Sequence, residues 1–281
     1  MRKIKPRAVA VAALLATVAV AWHASLRKPV GPAAGTEIEG NYLRDAAGQS
    51  STLRVATFNI HGCKGRDGRR DVNRVAECLN DLDFVVLNEV HGSAFCVPVS
   101  QAEMLAQKLG MAWLDAPAES RWYGAKHFGN AVLTSLPVRY WQRIPLPHRW
   151  DHSFRNVLLV NLDHGGRAIH VLATHVVRSD ERERRSQLRA VAELFLALGE
   201  PSLLVGDLNS GADDPCMEEL LAAPGVIDAV GQVLGPQAPP RIDWILARGF
   251  RAKDAGIRDN GASDHPMIWV ELEFKSDGRL E

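Results

Sequence analysis

From Leu53 onward the chain alternates short apolar runs with segments whose apolar residues recur at helical spacing. "LRVATFNI", "FVVLNEV", "NAVLTS", "NVLLVNL" and "AIHVLATHV" read as strands; the first ends at Asn59, the second at Glu89 and the last near Thr174 and His175. Asp71 caps a helix with Val72, Val75, Ala76 and Leu79 on one face, and Ser100-Gln101-Ala102-Glu103 is a capping box opening a helix that stops at Gly110. "SDERERRSQLRAVAELFLALG" sets Leu188, Val191, Phe195 and Leu198 at helical spacing, with Gly199 as its expected end. Then come "SLLVGDLNS", a short helix around Cys216 to Leu221, the strand "RIDWILA", and a last strand after Ser263-Asp264-His265-Pro266. With no internal repeat and no second linker, residues 53–281 form one mixed α/β domain.

The segment before it is different. Arg2, Lys3, Lys5 and Arg7 precede an uncharged run, Ala8 to Trp22, and Arg27 and Lys28 restore charge. This is the layout of an export signal. The run is short for a span of about 20 residues, and Ala19-Val20-Ala21 offers a small-x-small cleavage site, so residues 1–28 are expected to be a cleaved signal peptide or an uncleaved membrane anchor. Either way the basic flank puts the remainder on the periplasmic side of the inner membrane. Residues 29–52, rich in Gly and Pro and without apolar period, read as a linker.

Charge changes the picture of partners. The formal net charge is zero, but six of the 33 basic residues lie in the leader, which holds no acid, leaving 27 basic against 33 acidic residues. A mildly acidic body weakens the case for a duplex-binding surface, whose footprint is usually a basic stripe, and leaves room for a local patch. The four cysteines have no metal-finger spacing, and Cys63 and Cys96, each following a strand with a polar end, are a candidate disulfide, whereas Cys78 is expected to be buried and reduced.

The chemistry lies in the polar residues that punctuate the strands. Asn59, Glu89, His175, Asp207, Asn209 and the pair Asp264-His265 sit at or just past apolar runs, and Asp243 lies within one. A carboxylate in "RIDWIL" is expensive to bury unless it is paired or binds a metal. Singly, each has a plain explanation as a turn or cap residue.

Together, "ATFNIHG", "FVVLNEV", "GNAVLTS", "LATHV", "LLVGDLNS", "RIDWIL" and "SDHPMI", in this order, make residues 53–274 resemble the endonuclease/exonuclease/phosphatase superfamily of metal-dependent phosphoesterases. The resemblance implies a four-layered α/β sandwich, two mainly antiparallel sheets face to face and each covered by helices, with the site at one end. It implies that Glu89 holds Mg²⁺ or Mn²⁺, with Asp264 acting directly or through water and Asn59 beside them. It further implies that Asp207 activates the attacking water, Asn209 holds a phosphate oxygen, and His265, oriented by Asp243, donates to the charge that develops in the transition state. His175 would be a phosphate donor or a general acid, and Asn130 part of the polar floor. The family's usual Gln before the metal-binding Glu is Asn88 here, and Trp122, Tyr123, Lys126 and His127 compete for a substrate contact. His61 and His91 follow the strands of Asn59 and Glu89 and so could line the rim; the remaining histidines read as exposed or core.

The expected function is an exported hydrolase of phosphoric esters acting on a lipid head group or on nucleic acid, as a monomer. A catalytically silent binding module is the alternative of another class, which the intact polar set opposes.

Overall fold

In the computed structural model, which describes residues 6–40, 51–93, 99–120, 128–149 and 154–275, the chain opens with helix α1 (Pro6–Ser25) and two short strands, β1 (Lys28–Pro29) and β2 (Ala33–Gly35). Strand β3 (Thr52–Asn59), helix α2 (Val72–Cys78) and strand β4 (Phe84–His91) form a parallel β-α-β unit. Helix α3 (Gln101–Leu109) follows, then strands β5 (Ala112–Ser120), β6 (Phe128–Thr134), β7 (Val138–Pro145) and β8 (Asn156–His164). A second parallel unit comprises β9 (Arg167–His175), α4 (Glu181–Ala197) and β10 (Ser202–Asp207). Helix α5 (Pro215–Leu221), β11 (Ile227–Asp228), helix α6 (Ala229–Leu234), β12 (Asp243–Arg248), β13 (Phe250–Arg258) and β14 (Met267–Phe274) complete the described chain.

The strands make two seven-stranded sheets, ordered β1-β5-β6-β4-β3-β14-β13 and β11-β12-β10-β9-β8-β7-β2. Among the described strands only β3/β4 and β9/β10 pair in parallel. Because strand side chains alternate between faces, Val55, Phe84, Val86 and Val132 of the first sheet meet Leu158, Val160, Val171, Val205 and Ile245 of the second. The opposite faces bury Phe58, Val85 and Leu87 against Val75 and Leu105 of α2 and α3, and Leu172, Leu204 and Leu246 against Leu188, Phe195 and Met217 of α4 and α5. Each fully buried large side chain contributes about 1.5–3 kcal/mol. Covered on both faces, the central strands lose polar alternation, hence their continuous apolar runs. The expected four-layered sandwich is the fold observed.

The helix starts lie where the caps set them: Asp71 accepts from the N–H groups of Asn73 and Arg74, Ser100 from Glu103, and left-handed Gly110 ends α3. Helix α4 ends at Ala197, with Leu198 as its cap just ahead of Gly199. Strands β5, β7 and β13 escape the sequence reading because they lie near sheet edges, where Pro117, Arg139, Arg143, Arg251 and Lys253 dilute the apolar pattern. Asp243 opens β12 rather than lying inside it.

Within the expected linker, residues 29–52, part of the chain is bound to both sheets: β1 pairs with β5, β2 with β7, and Glu39 bridges Trp113. Unpaired sheet edges recruit such segments. The expected disulfide is not formed. Cys63 is a free thiol buried against α2, its pKa pushed up to about 12 by burial, while Cys96 lies outside the described residues. Cys78 is buried and free, as expected. No helix among the described residues is long and apolar enough to cross a membrane.

Candidate active site

Both parallel strand pairs point their carboxyl ends to the same end of the sandwich. The first delivers Asn59 and Glu89; the second delivers His175 and Asp207 as register partners. Strand β12 approaches β10 from the other side and sets Asp243 opposite Asp207. The close packing of β10 on β9 requires Gly206, where a Cβ would fall 1.9 Å from the Thr174 carbonyl oxygen.

Glu89 with φ 58°, Asn209 with φ 49° and, on the rim, His61 with φ 46° adopt left-handed backbone. Such conformations persist where surrounding structure enforces them. A bulge between Leu87 and Val90 lets Asn88 point between the sheets while Glu89 still meets Asn59. Asn209 turns back so that its N–H donates to Asp207 Oδ1 at 2.9 Å and its carboxamide donates to the Val176 carbonyl at 2.8 Å.

Asn59 Nδ2 donates to Glu89 Oε1 at 3.2 Å and to Asp207 Oδ2 at 3.1 Å, joining the sheets. His175 Nε2 lies 3.5 Å and His265 Nε2 3.9 Å from Asp207 Oδ2, and His265 Nδ1 is 2.7 Å from Asp243 Oδ2. Ligand atoms of Asp207, Asp243 and His265 all fall within 4.8 Å of one another. Asp264 stands apart from that group, exposed, 3.4 Å from His61 Nδ1. Thus Asn59, Glu89, His175, Asp207, Asn209, Asp243 and His265 converge, with Asp264 on the rim beside His61. His91 is also at the rim, edge-on to Phe128.

The charges are strongly perturbed. Burial, reinforced by the Asp243 charge, raises the Asp207 pKa to about 7. Burial works against a charged His265, but its hydrogen bond to Asp243 and the Asp243 and Asp207 charges outweigh that and raise its pKa to about 9. His175, fully enclosed, is held well below the ordinary imidazole range by burial and then by the charges of Arg155 and His265. One imidazole is therefore charged and its neighbour neutral at pH 7.

Asn156 and Arg155 were missed in the sequence, and Asn88 was noted there only as standing at the family's Gln position. Asn88 is fully buried; it donates to Asn130 Oδ1 at 2.8 Å and to the Thr174 carbonyl at 3.0 Å, and accepts from the Asp207 N–H at 3.0 Å. Asn130 passes the chain to Asn156, whose carboxamide binds the carbonyls of Ala116 and Pro117. Asn130 thus links the two sheets through Asn88 and Asn156. Arg155 sits at the mouth within electrostatic reach of Glu89, Glu119 and Asp207; burial lowers its pKa, and its buried Nε has no hydrogen-bond partner among the described residues. A charged residue directly ahead of "NVLLVNL" was the available signal. Trp122, Tyr123, Lys126 and His127 lie outside the described residues.

The sequence matches the Endonuclease/Exonuclease/phosphatase family over residues 56–265. No curated protein matches it. Among solved structures, an endonuclease/exonuclease/phosphatase from Beutenbergia cavernae is 27% identical, with a TM-score of 0.66 over 79% of this chain and 72% of that one. TDP2 of D. rerio, complexed with a single-strand DNA product, is 17% identical, with a TM-score of 0.60 over 80% of this chain and 100% of that one. Sphingomyelinase C of Streptomyces griseocarneus is 16% identical, with a TM-score of 0.56 over 78% of this chain and 99% of that one. The last two show likeness of fold alone. Since the family match runs from the strand of Asn59 to His265, spanning both sheets and the end where their polar residues meet, the chain belongs to the endonuclease/exonuclease/phosphatase family of phosphoesterases.

Proposed function

We propose that this protein is an exported monomer that hydrolyses phosphoric esters with Mg²⁺ or Mn²⁺, on a lipid head group in preference to nucleic acid. The observation that carries the reaction is His265 set between two buried carboxylates, charged by one and facing the other. Asp207 orients the attacking water and takes its proton, for which a pKa raised by burial suits it. His265 donates through Nε2 to the phosphoryl oxygen on which charge builds, and Asp243 fixes its tautomer. His175 faces the same position as a neutral donor for the phosphate or the leaving oxygen. Asn209 retains one carboxamide N–H for a phosphate oxygen, and Arg155 supplies a buried cation for the ester's negative charge.

The donor set fits a hard divalent cation. Glu89 has no cationic partner within 4.0 Å among the described residues and shares Asn59 with Asp207, so Glu89 and Asn59 would hold the ion, with Asp264 directly or through water. Although Asp207, Asp243 and His265 cluster more tightly, a protonated imidazole is no ligand, so that group is read as a proton-handling unit. A bound ion would neutralise phosphate charge and acidify water.

The lipid preference rests on the acidic body and the apolar leader; a nuclease is the second reading, favoured by the arginines near the mouth. The test is a metal-supplemented panel of single-stranded DNA, duplex DNA, phospholipids and inositol phosphates, with 4-nitrophenyl esters as the generic substrate. Efficient cleavage of plain duplex DNA at physiological salt would replace the lipid reading by the nuclease one. No metal-dependent turnover of any ester would leave only a binding module. Export is tested by a C-terminal reporter active only in the cytosol, which should be silent.

A further inference from the structure

The N-terminal arm enters the molecule at its catalytic end. Lys28 pairs with Ser120, and Pro29 with Glu119, at the end of β5 that lies beyond the register partner of Asn130, Ala116. Arg27 Nη1 lies 3.6 Å from Glu119 Oε2, a buried oxygen with no hydrogen-bond partner among the described residues. Only Leu26 and Arg27 separate α1 from β1, a reach of at most about 11 Å for three Cα steps. The arm is then fixed across the edges of both sheets: the Val30 N–H binds the Ala118 carbonyl, Arg143 the Gly31 carbonyl, and Trp141 the Glu37 carbonyl. The C-terminal end of α1 is therefore tethered beside the mouth.

That helix leaves Val11, Leu14, Leu15, Val18, Val20 and Trp22 each more than half exposed. Its uncharged run is flanked by Arg2, Lys3, Lys5 and Arg7 on one side and Arg27 and Lys28 on the other. Apolar surface between basic flanks is the chemistry of a bilayer with anionic head groups. A second cationic feature lies at the same end: Arg178 follows His175 by three residues, Arg182 lies in the first turn of α4, both are exposed, and neither has a carboxylate partner among the described residues. Positive charge and apolar surface thus stand at the side where the site opens, alongside exposed Glu181 and Asp264.

We propose that an anionic phospholipid bilayer seats on the catalytic end, held by α1 and met by Arg178 and Arg182, so that the mouth receives head-group phosphoesters of the membrane that holds the protein. The substrate named here rests on the phosphoesterase reading above; the contact and its orientation do not.

The test uses the full-length chain and vesicles of phosphatidylcholine with phosphatidylglycerol. Wild type should sediment with the vesicles, and hydrogen exchange should slow in residues 117–120 and 176–186 but not in residues 199–202 or 249–252 at the other end. Leu14→Asp with Val18→Asp should abolish sedimentation and lower hydrolysis of vesicle phospholipid by 10-fold or more, roughly the effect of losing a membrane anchor, while turnover of a soluble 4-nitrophenyl phosphodiester stays unchanged. Arg178→Gln with Arg182→Gln should weaken vesicle affinity by roughly 10- to 30-fold, and less at high salt. Protection at residues 199–202 instead of the mouth, sedimentation indifferent to the α1 changes, or a mature chain beginning at Trp22 would overturn the proposal. Mouth protection without turnover of either ester would overturn the phosphoesterase reading and uphold the bilayer contact.

Discussion

Asp207 and Asp243 are cross-strand partners on β10 and β12, both buried, and His265 reaches each of them. Two carboxylates this close disfavour joint ionisation, and the imidazolium is what relieves the repulsion. The proton relationships of the site follow from that arrangement.

Asp207→Asn separates catalysis from stability. Removing the base should lower turnover on the order of 10²- to 10⁴-fold. Because burial raises the Asp207 pKa, the metal-free wild type loses stability as pH rises from the ordinary Asp range through about 7. The Asn variant should therefore melt no lower, and at pH 8 higher, than wild type in calorimetry. A folded variant with near wild-type turnover refutes the assignment.

His265 and Asp243 should behave as a unit. The His265 pKa is raised, so the stability of its pair with Asp243 is complete below the ordinary imidazole pKa and is lost as pH rises through about 9. If protonated His265 is the donor, activity should fall through the same region, and Asp243→Asn should move that alkaline limb to lower pH. His265→Ala should cost on the order of 10²-fold, and the double variant little more. Additive losses across the pH profile would show that the two act separately.

Glu89→Gln should weaken Mg²⁺ or Mn²⁺ affinity, measured by calorimetric titration, together with turnover. Asp207→Asn should spare more of that affinity. Equal metal binding by wild type and Glu89→Gln would place the ion elsewhere.

Asn88→Ala strands the Asp207 N–H and the Asn130 carboxamide oxygen inside the sandwich, and a buried polar group without a partner costs about 1–3 kcal/mol. Denaturant unfolding should show that loss, with turnover falling as Asp207 loses its alignment. Unchanged stability would mean that water replaces the carboxamide.

Arg155→Met should raise KM for a phosphodiester about 10-fold or more while leaving stability equal or improved. The guanidinium lies over the Phe128 ring with Nη1 on the Phe154 carbonyl, and a shape-matched hydrophobe removes its desolvation penalty. A large drop in thermal stability would mark Arg155 as structural.

The sequence by itself determined a mixed α/β domain and the order of its central strands and helices, while the layering entered through the resemblance its motifs carry. Central strands buried on both faces must be continuously apolar, so the runs around Val86, Val160 and Leu204 were legible. The caps Asp71, Ser100 and Gly110 were legible because capping is local. The site residues at the strand ends were legible as a set, because polar groups placed repeatedly after apolar strands have no packing reason to be there. Tertiary structure alone decided how they meet. No spacing along the chain reveals that Asp207 and Asp243 are register partners, that a bulge lets Asn88 bind across the sheets beside Glu89, or that Arg155 faces the same mouth; these depend on contacts between strands far apart in sequence. The same holds for Cys63, turned into the core rather than out to a loop, and for residues 28–35, whose Gly- and Pro-rich texture resembles a linker. Their place is set by backbone hydrogen bonds to open sheet edges, which side-chain pattern does not encode.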